Sequence, residues 1–141
     1  MRSLRSQLFV TALEPQNAPG LITLAQAQLI QGRMAEFAGT FARVQENLPR
    51  ASGLELEDLT SLAVLCDAAE DPGQARAVLT RCLGMANEAS LRRLNRDVLF
   101  RLLFLARQLG VAETQPERFQ LGMTLLPGEA MREAVRTGTA P

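Results

Sequence analysis

A pattern of apolar, glycine and proline residues returns 78 residues further along the chain. A weaker copy lies between the two occurrences, so the period is about 39 residues, within the roughly 20–50 residues that are typical of stacked helical repeats. One helix pair cannot bury both of its apolar faces, so about three pairs must stack to share a core. The recurring residues are Leu21, Leu24, Gly32, Phe41, Leu48 and Pro49, which return as Leu99, Leu102, Gly110, Phe119, Leu126 and Pro127.

The residue types present limit the chemistry that the chain can perform. All 15 basic residues are Arg, and the chain has no Lys, His, Tyr or Trp. It therefore lacks an imidazole base, a Schiff-base amine and a phenol, and we expect no enzyme, no cofactor and no metal site. The 15 Arg balance 15 acidic residues, so no global field favours nucleic acid or an anionic membrane.

At 141 residues the chain is long enough for one domain, and we expect a single domain over 1–141. No apolar run approaches the roughly 18–20 residues that span a bilayer. The N-terminal segment is basic, but its apolar stretch is too short for a secretory signal, so we expect a mature helix over 3–13 and a cytoplasmic protein. Cys66 and Cys82 then fit as reduced, buried thiols.

Start and stop signals predict an all-α chain, because no segment alternates with period two. Ser52 with Glu55, and Thr114 with Glu117, have the spacing of capping boxes, and Asp71 is placed to cap the helix that Pro72 opens. A long helix is expected from Asn87 or Ser90 to Gly110. The predicted helices cover 3–13, 18–31, 34–48, 54–69, 72–86, 91–109, 115–126 and 129–136.

Short loops make these helices antiparallel pairs, and at this point the chain resembles the tetratricopeptide repeat family. The resemblance rests on large apolar and small residues in the first helix, Gly or Ala at the turn, and an aromatic and Pro in the second helix. It implies a right-handed array of antiparallel helix pairs, about three repeats over 18–49, 52–87 and 90–127, with an N-terminal helix and a capping helix at 128–137. In that cap Met131 and Val135 would face the last repeat.

The family geometry implies a concave face lined by the first helices of the pairs. Phe100 and Phe104 are i,i+4 neighbours and would form one aromatic ridge there, beside Arg101 and Arg107, which would bind carboxylates. The alternative is that both Phe side chains belong to the core, because residues 102–106 are apolar nearly all round. The expected partner-binding groove consists of Ile22, Gln26, Leu29, Thr60, Val64, Asp67, Phe100, Arg101, Phe104 and Arg107.

The resemblance implies a module that binds another protein through a helical or extended segment. It is similar in size to a small bacterial adaptor or a secretion-type chaperone. The basic run Arg92, Arg93 and Arg96 either stays solvated, or orients a partner or drives self-association into a homo-oligomer. A regulatory or sensor domain of a transcription-control system is the first alternative function, and a helical enzyme is the second.

Overall fold

A computed structural model describes residues 18–48 and 54–139 of the chain. Within these residues it contains eight helices and no strand, which confirms the all-α prediction. The helix expected at 3–13 lies outside the described residues. The helices are α1 Ala18–Ile30, α2 Met34–Asn47, α3 Leu56–Ala68, α4 Pro72–Met85, α5 Glu88–Arg93, α6 Arg96–Gln108, α7 Pro116–Leu125 and α8 Glu129–Thr137.

The chain divides into two compact units, the first ending at Leu54 and the second beginning at Glu55. In the first unit α1 and α2 pack as a hairpin. Gly32 makes the turn with a φ of 74°, a conformation that costs a glycine little. Phe37 and Phe41 stack with their ring centroids 5.7 Å apart. The core of this unit contains Leu21, Ile22 and Ala25 from α1, and Phe37, Phe41 and Val44 from α2.

The second unit begins with a hairpin of α3 and α4, which make many contacts with each other. Asp71 caps α4 as predicted, accepting a hydrogen bond from the Gln74 N–H at 3.2 Å. The capping box expected from Ser52 and Glu55 is wrong in register, since Glu55 is itself the N-cap of α3 and Asp58 closes the box by accepting from the Glu55 N–H. Ser52 lies outside the described residues. Ser52 with Glu55, and Glu55 with Asp58, both have the three-residue spacing of a capping box, so the sequence left two possible starts for α3 that differ by three residues.

The long helix expected from Asn87 or Ser90 to Gly110 is interrupted, which corrects that prediction. Leu94 is extended, with a ψ of 141°, and separates α5 from α6. Asn95 starts α6 by accepting a hydrogen bond from the Val98 N–H at 2.9 Å. An Asn side chain that bonds the backbone in this way competes with a continuous helix. Asn87 caps α5 in a box with Ser90, so the upstream start is confirmed at Asn87.

The capping box expected from Thr114 and Glu117 is also wrong. Thr114 donates its hydroxyl hydrogen bond to the Val111 carbonyl at 2.7 Å, and α7 starts at Pro116 behind Gln115. Gln115 makes a tertiary contact instead, donating to the Thr80 carbonyl at 2.8 Å. Together with Arg118, which donates to the carbonyls of Gly84 and Ala86, it ties the start of α7 to the end of α4.

Helix α6 forms the centre of the second unit and contacts α3, α4, α7 and α8. Its buried side chains are Leu99, Leu102, Leu103 and Ala106. Helix α7 approaches α6 closely at Gly122, because a Cβ built there would lie 2.7 Å from Leu103 Cδ2. The glycine thus sets the distance between the two helices.

Helix α8 packs on α6 through Val135, which is fully buried, and Ala134. Met131 is half-buried. Arg132 is half-buried and donates a hydrogen bond to the Leu126 carbonyl at 2.7 Å. The outer face carries ion pairs from Glu129 to Arg132 and Arg136 at 3.0 Å each, with a further pair between Glu133 and Arg136.

These ion pairs predict an acid-sensitive docking of α8. Hydrogen bonds from Arg136 and then Arg132 lower the pKa of Glu129. Because the pKa of Glu129 is lower in the folded chain than in the unfolded chain, the ionised carboxylate stabilises the fold. This stabilisation is fully present above the ordinary carboxyl pKa of about 4.3, and it is lost as the pH falls through the lower pKa of the folded state. We therefore expect acidification below about pH 4 to lower the melting temperature more in the wild type than in Glu129→Gln. Glu117→Gln serves as the control, and an equal loss in wild type and Glu129→Gln would show that the pairs contribute nothing.

Candidate functional site

The aromatic ridge predicted on α6 is present. The rings of Phe100 and Phe104 lie with their centroids 5.4 Å apart and their planes tilted by 32°. Both side chains are half-buried, whereas Leu102 and Leu103 beside them in sequence are fully buried. Part of this aromatic surface thus remains open to solvent on a helix whose other side supplies the core.

Two arginines extend the ridge along α6. At 100° per residue, Arg107 follows Arg96 by eleven residues and lies only about 20° from it around the helix. Phe100 and Phe104 lie between them along the helix axis, about 40° and 80° around the helix from Arg96. We call Arg96, Phe100, Phe104 and Arg107 the α6 stripe. Both arginines are exposed, and neither makes an ion pair or hydrogen bond with any residue of 18–48 or 54–139.

Arg101 lies at the edge of the stripe, on the other side of Phe104 from Arg107. It is exposed, but it lies about 140° around the helix from Arg96. The sequence prediction grouped it with Arg107 as a carboxylate-binding pair. Around the helix, Arg101 and Arg107 lie about 60° to either side of Phe104, so the predicted pair borders this ring, while Arg96 lies about 40° from Phe100.

The remaining residues of the predicted groove differ in their exposure to solvent. Ile22 and Thr60 are each 2% exposed, so neither side chain is available to a partner. Thr60 donates its hydroxyl hydrogen bond to the Leu56 carbonyl at 2.8 Å and is therefore satisfied inside the unit. Of the others, Gln26, Leu29 and Val64 are half-buried, and Asp67 is exposed. Ile22, Gln26 and Leu29 belong to the first unit, while α3 and α6 pack together in the second.

A cleft that the sequence did not predict opens at the turn between α5 and α6. Leu91 and Leu99, 1% and 3% exposed, belong to its wall, and its volume is about 280 Å³. The interruption at Asn95 creates the cleft, because in one continuous helix Leu91 and Leu99 would lie on a single straight axis and no turn would separate them. The signal in the sequence was the N-cap spacing from Asn95 to Val98. The lining residues are Leu91, Arg92, Leu94, Arg96, Leu99, Leu125 and Pro127.

The two thiols are structural. Cys66 and Cys82 are buried and unpaired, which confirms the expectation from sequence. Burial is the main reason that the pKa of each rises to about 12, and a hydrogen bond with Thr60 only partly offsets it at Cys82. Both thiols therefore stay protonated at neutral pH and are poor nucleophiles and metal ligands. In the part of the chain that the structure describes, no three His, Cys, Asp or Glu side chains gather as a metal site.

Among the described residues, three large apolar side chains that do not belong to the stripe are exposed. Ile30 and Met34 flank the turn of the first hairpin and are 85% and 51% exposed. Met85 ends α4 at 41% exposure. Single exposed apolar residues are common on protein surfaces and require no partner.

Comparison with protein families, with curated proteins and with solved structures finds no match for this chain. Among the described residues no helix is both long and apolar enough to cross a membrane. A functional assignment consequently rests on the α6 stripe and the cleft.

Proposed function

We propose that the chain is a protein-binding module whose second unit holds a helical or extended segment of another protein on the α6 stripe. Within this proposal the chain acts as a small adaptor or as a secretion-type chaperone, without catalysis. The helix hairpins are the building units of a tetratricopeptide-like array, and that arrangement is part of the proposal.

The partly exposed pair of Phe100 and Phe104 is the observation that supports the proposal. Aromatic side chains supply a large apolar contact area, and Trp, Tyr and Arg dominate the energetics of protein interfaces, with aromatic anchors at their centres. Here the two rings already touch, so a partner would meet an ordered surface and lose little side-chain entropy on binding. An exposed guanidinium on either side can form charge-assisted hydrogen bonds at the rim.

A selection experiment on the full chain tests the proposal. The probe is a displayed library of amphipathic segments about 16 residues long, hence about 24 Å when helical, with Leu and Phe on one face and randomised polar positions. We expect segments to be enriched on the wild-type chain and lost on Phe104→Glu. Failure to enrich any segment, or enriched segments that bind Phe104→Glu equally well, would contradict the proposal.

A further inference from the structure

The α6 stripe and the cleft share Arg96, so the two features adjoin at that residue. The cleft lies at the N-terminal end of α6, and Arg107 marks the other end of the stripe, about 16 Å away along the helix axis. The surface therefore has a cleft of mixed polar and apolar lining at one end, two aromatic rings in the middle and a guanidinium at each end of the rings.

The cleft has the size of a side-chain pocket. Its volume of about 280 Å³ falls just below the roughly 300–1,000 Å³ of drug-sized ligand sites. The wall is formed by leucines from α5, α6, α7 and the α5–α6 turn, with Arg92 and Arg96 as its only charged lining residues. A cleft of this size accommodates one or two side chains of a larger partner, with their apolar parts against the leucines and the two guanidiniums at its edge.

Charge complementarity favours an acidic partner, because the guanidiniums of Arg96 and Arg107 outnumber the one exposed carboxylate on α6 beside the rings, that of Asp97. Arg92 is held by Glu88 at 2.7 Å, so its charge is matched within α5. Arg96 and Arg107 have no such pairing in the described residues. An apolar segment brought against the stripe would remove water from both guanidiniums, and a carboxylate at each position would compensate for that loss.

We infer that the occupant of this surface is an acidic amphipathic segment of another protein. An apolar side chain of the segment enters the cleft, others contact Phe100 and Phe104, and two carboxylates about 16 Å apart pair with Arg96 and Arg107. For a helical segment that separation is about eleven residues, and for an extended one about five. The inference rests on the proposed function and adds the chemical class of its partner.

The test compares three versions of the displayed segments, in which the positions flanking the apolar face are all Glu, all Gln or all Arg. We expect the Glu version to bind the wild-type chain at least tenfold more tightly than the Gln version, and the Arg version to bind least. Arg96→Glu should weaken the binding of the Glu version at least tenfold. The same variant should bind a segment in which the Glu that faces position 96 is replaced by Arg. The substitution is at an exposed first position of α6, where an acidic residue is compatible with helix formation.

Arg93→Glu is the matched control, because Arg93 is exposed in the same basic run and does not line the cleft. It should change the affinity much less than Arg96→Glu. Equal binding of the Glu and Gln versions, or equal effects of the two substitutions, would overturn the inference. In that case loss of binding in Phe104→Glu would leave the proposed function standing.

A concentration-dependent dimer that Arg96→Glu dissociates would instead identify a second copy of the chain as the occupant of the surface. That result would also overturn the inference.

Discussion

Gly122→Val is expected to lower the free energy of unfolding of the second unit by about 1–3 kcal/mol, the usual effect of overpacking a well-packed core. A Cβ at this position would lie 2.7 Å from Leu103 Cδ2 and 3.3 Å from its Cδ1. Leu103 is fully buried, so its side chain cannot move aside without displacing its neighbours. Thermal unfolding followed by circular dichroism measures the effect, since the chain has no Trp or Tyr to report by fluorescence.

Gly84→Ala is the control for this substitution within the same unit. Gly84 lies near the end of α4, and a Cβ there would meet only Gln115 Oε1, at an ordinary 3.8 Å. Because Ala has a better helix propensity than Gly, Gly84→Ala should raise the free energy of unfolding of the second unit by about 0.5–1 kcal/mol. A stabilising effect at both glycines would show that α6 and α7 do not depend on the close approach at Gly122.

Phe104→Glu is expected to reduce the affinity for a selected segment at least tenfold while the helical content stays unchanged. The side chain is half-buried, whereas the core of α6 is supplied by Leu99, Leu102, Leu103 and Ala106. Glutamate favours the helix, so the substitution removes apolar contact area without breaking the backbone. It also brings a like charge toward the acidic segments expected as partners. Titration calorimetry and a thermal melt of the full chain measure the two effects.

Met85→Glu is the matched control, because it introduces the same charge at an apolar side chain that is 41% exposed and lies on α4. It should leave binding to the segment unchanged. If Phe104→Glu unfolds the second unit instead, Phe104 belongs to the core, and the ridge is a structural contact.

Helix boundaries were largely predictable from sequence, because capping and stop signals act locally. The turn at Gly32 and the cap at Asp71 were placed to within a residue or two. The interruption at Asn95 was missed because the apolar pattern runs across it, and only the Asn side chain favours the break. The close approach at Gly122 depends on a neighbour nineteen residues away, Leu103, which no local pattern specifies.

The candidate site was predictable in part. The spacing of Phe100 and Phe104 predicted their contact, which helix geometry guarantees once α6 forms. Whether they face a core or solvent was open, because residues 102–106 are apolar on nearly every side, and burial is set by the four helices that α6 contacts. The cleft depends on the same interruption at Asn95, so a sequence interpretation with one long helix had no means of finding it.

Fluorine NMR of the full chain labelled with fluorophenylalanine tests the docking on α6 most directly. The chain has only six Phe residues, and single Phe→Leu variants assign their resonances. Addition of a selected acidic segment should shift the resonances of Phe100 and Phe104 and leave those of Phe37 and Phe41, buried in the first unit, unchanged. Shifts at Phe37 and Phe41 with none at Phe100 and Phe104 would contradict the assignment of the α6 stripe as the partner-binding surface.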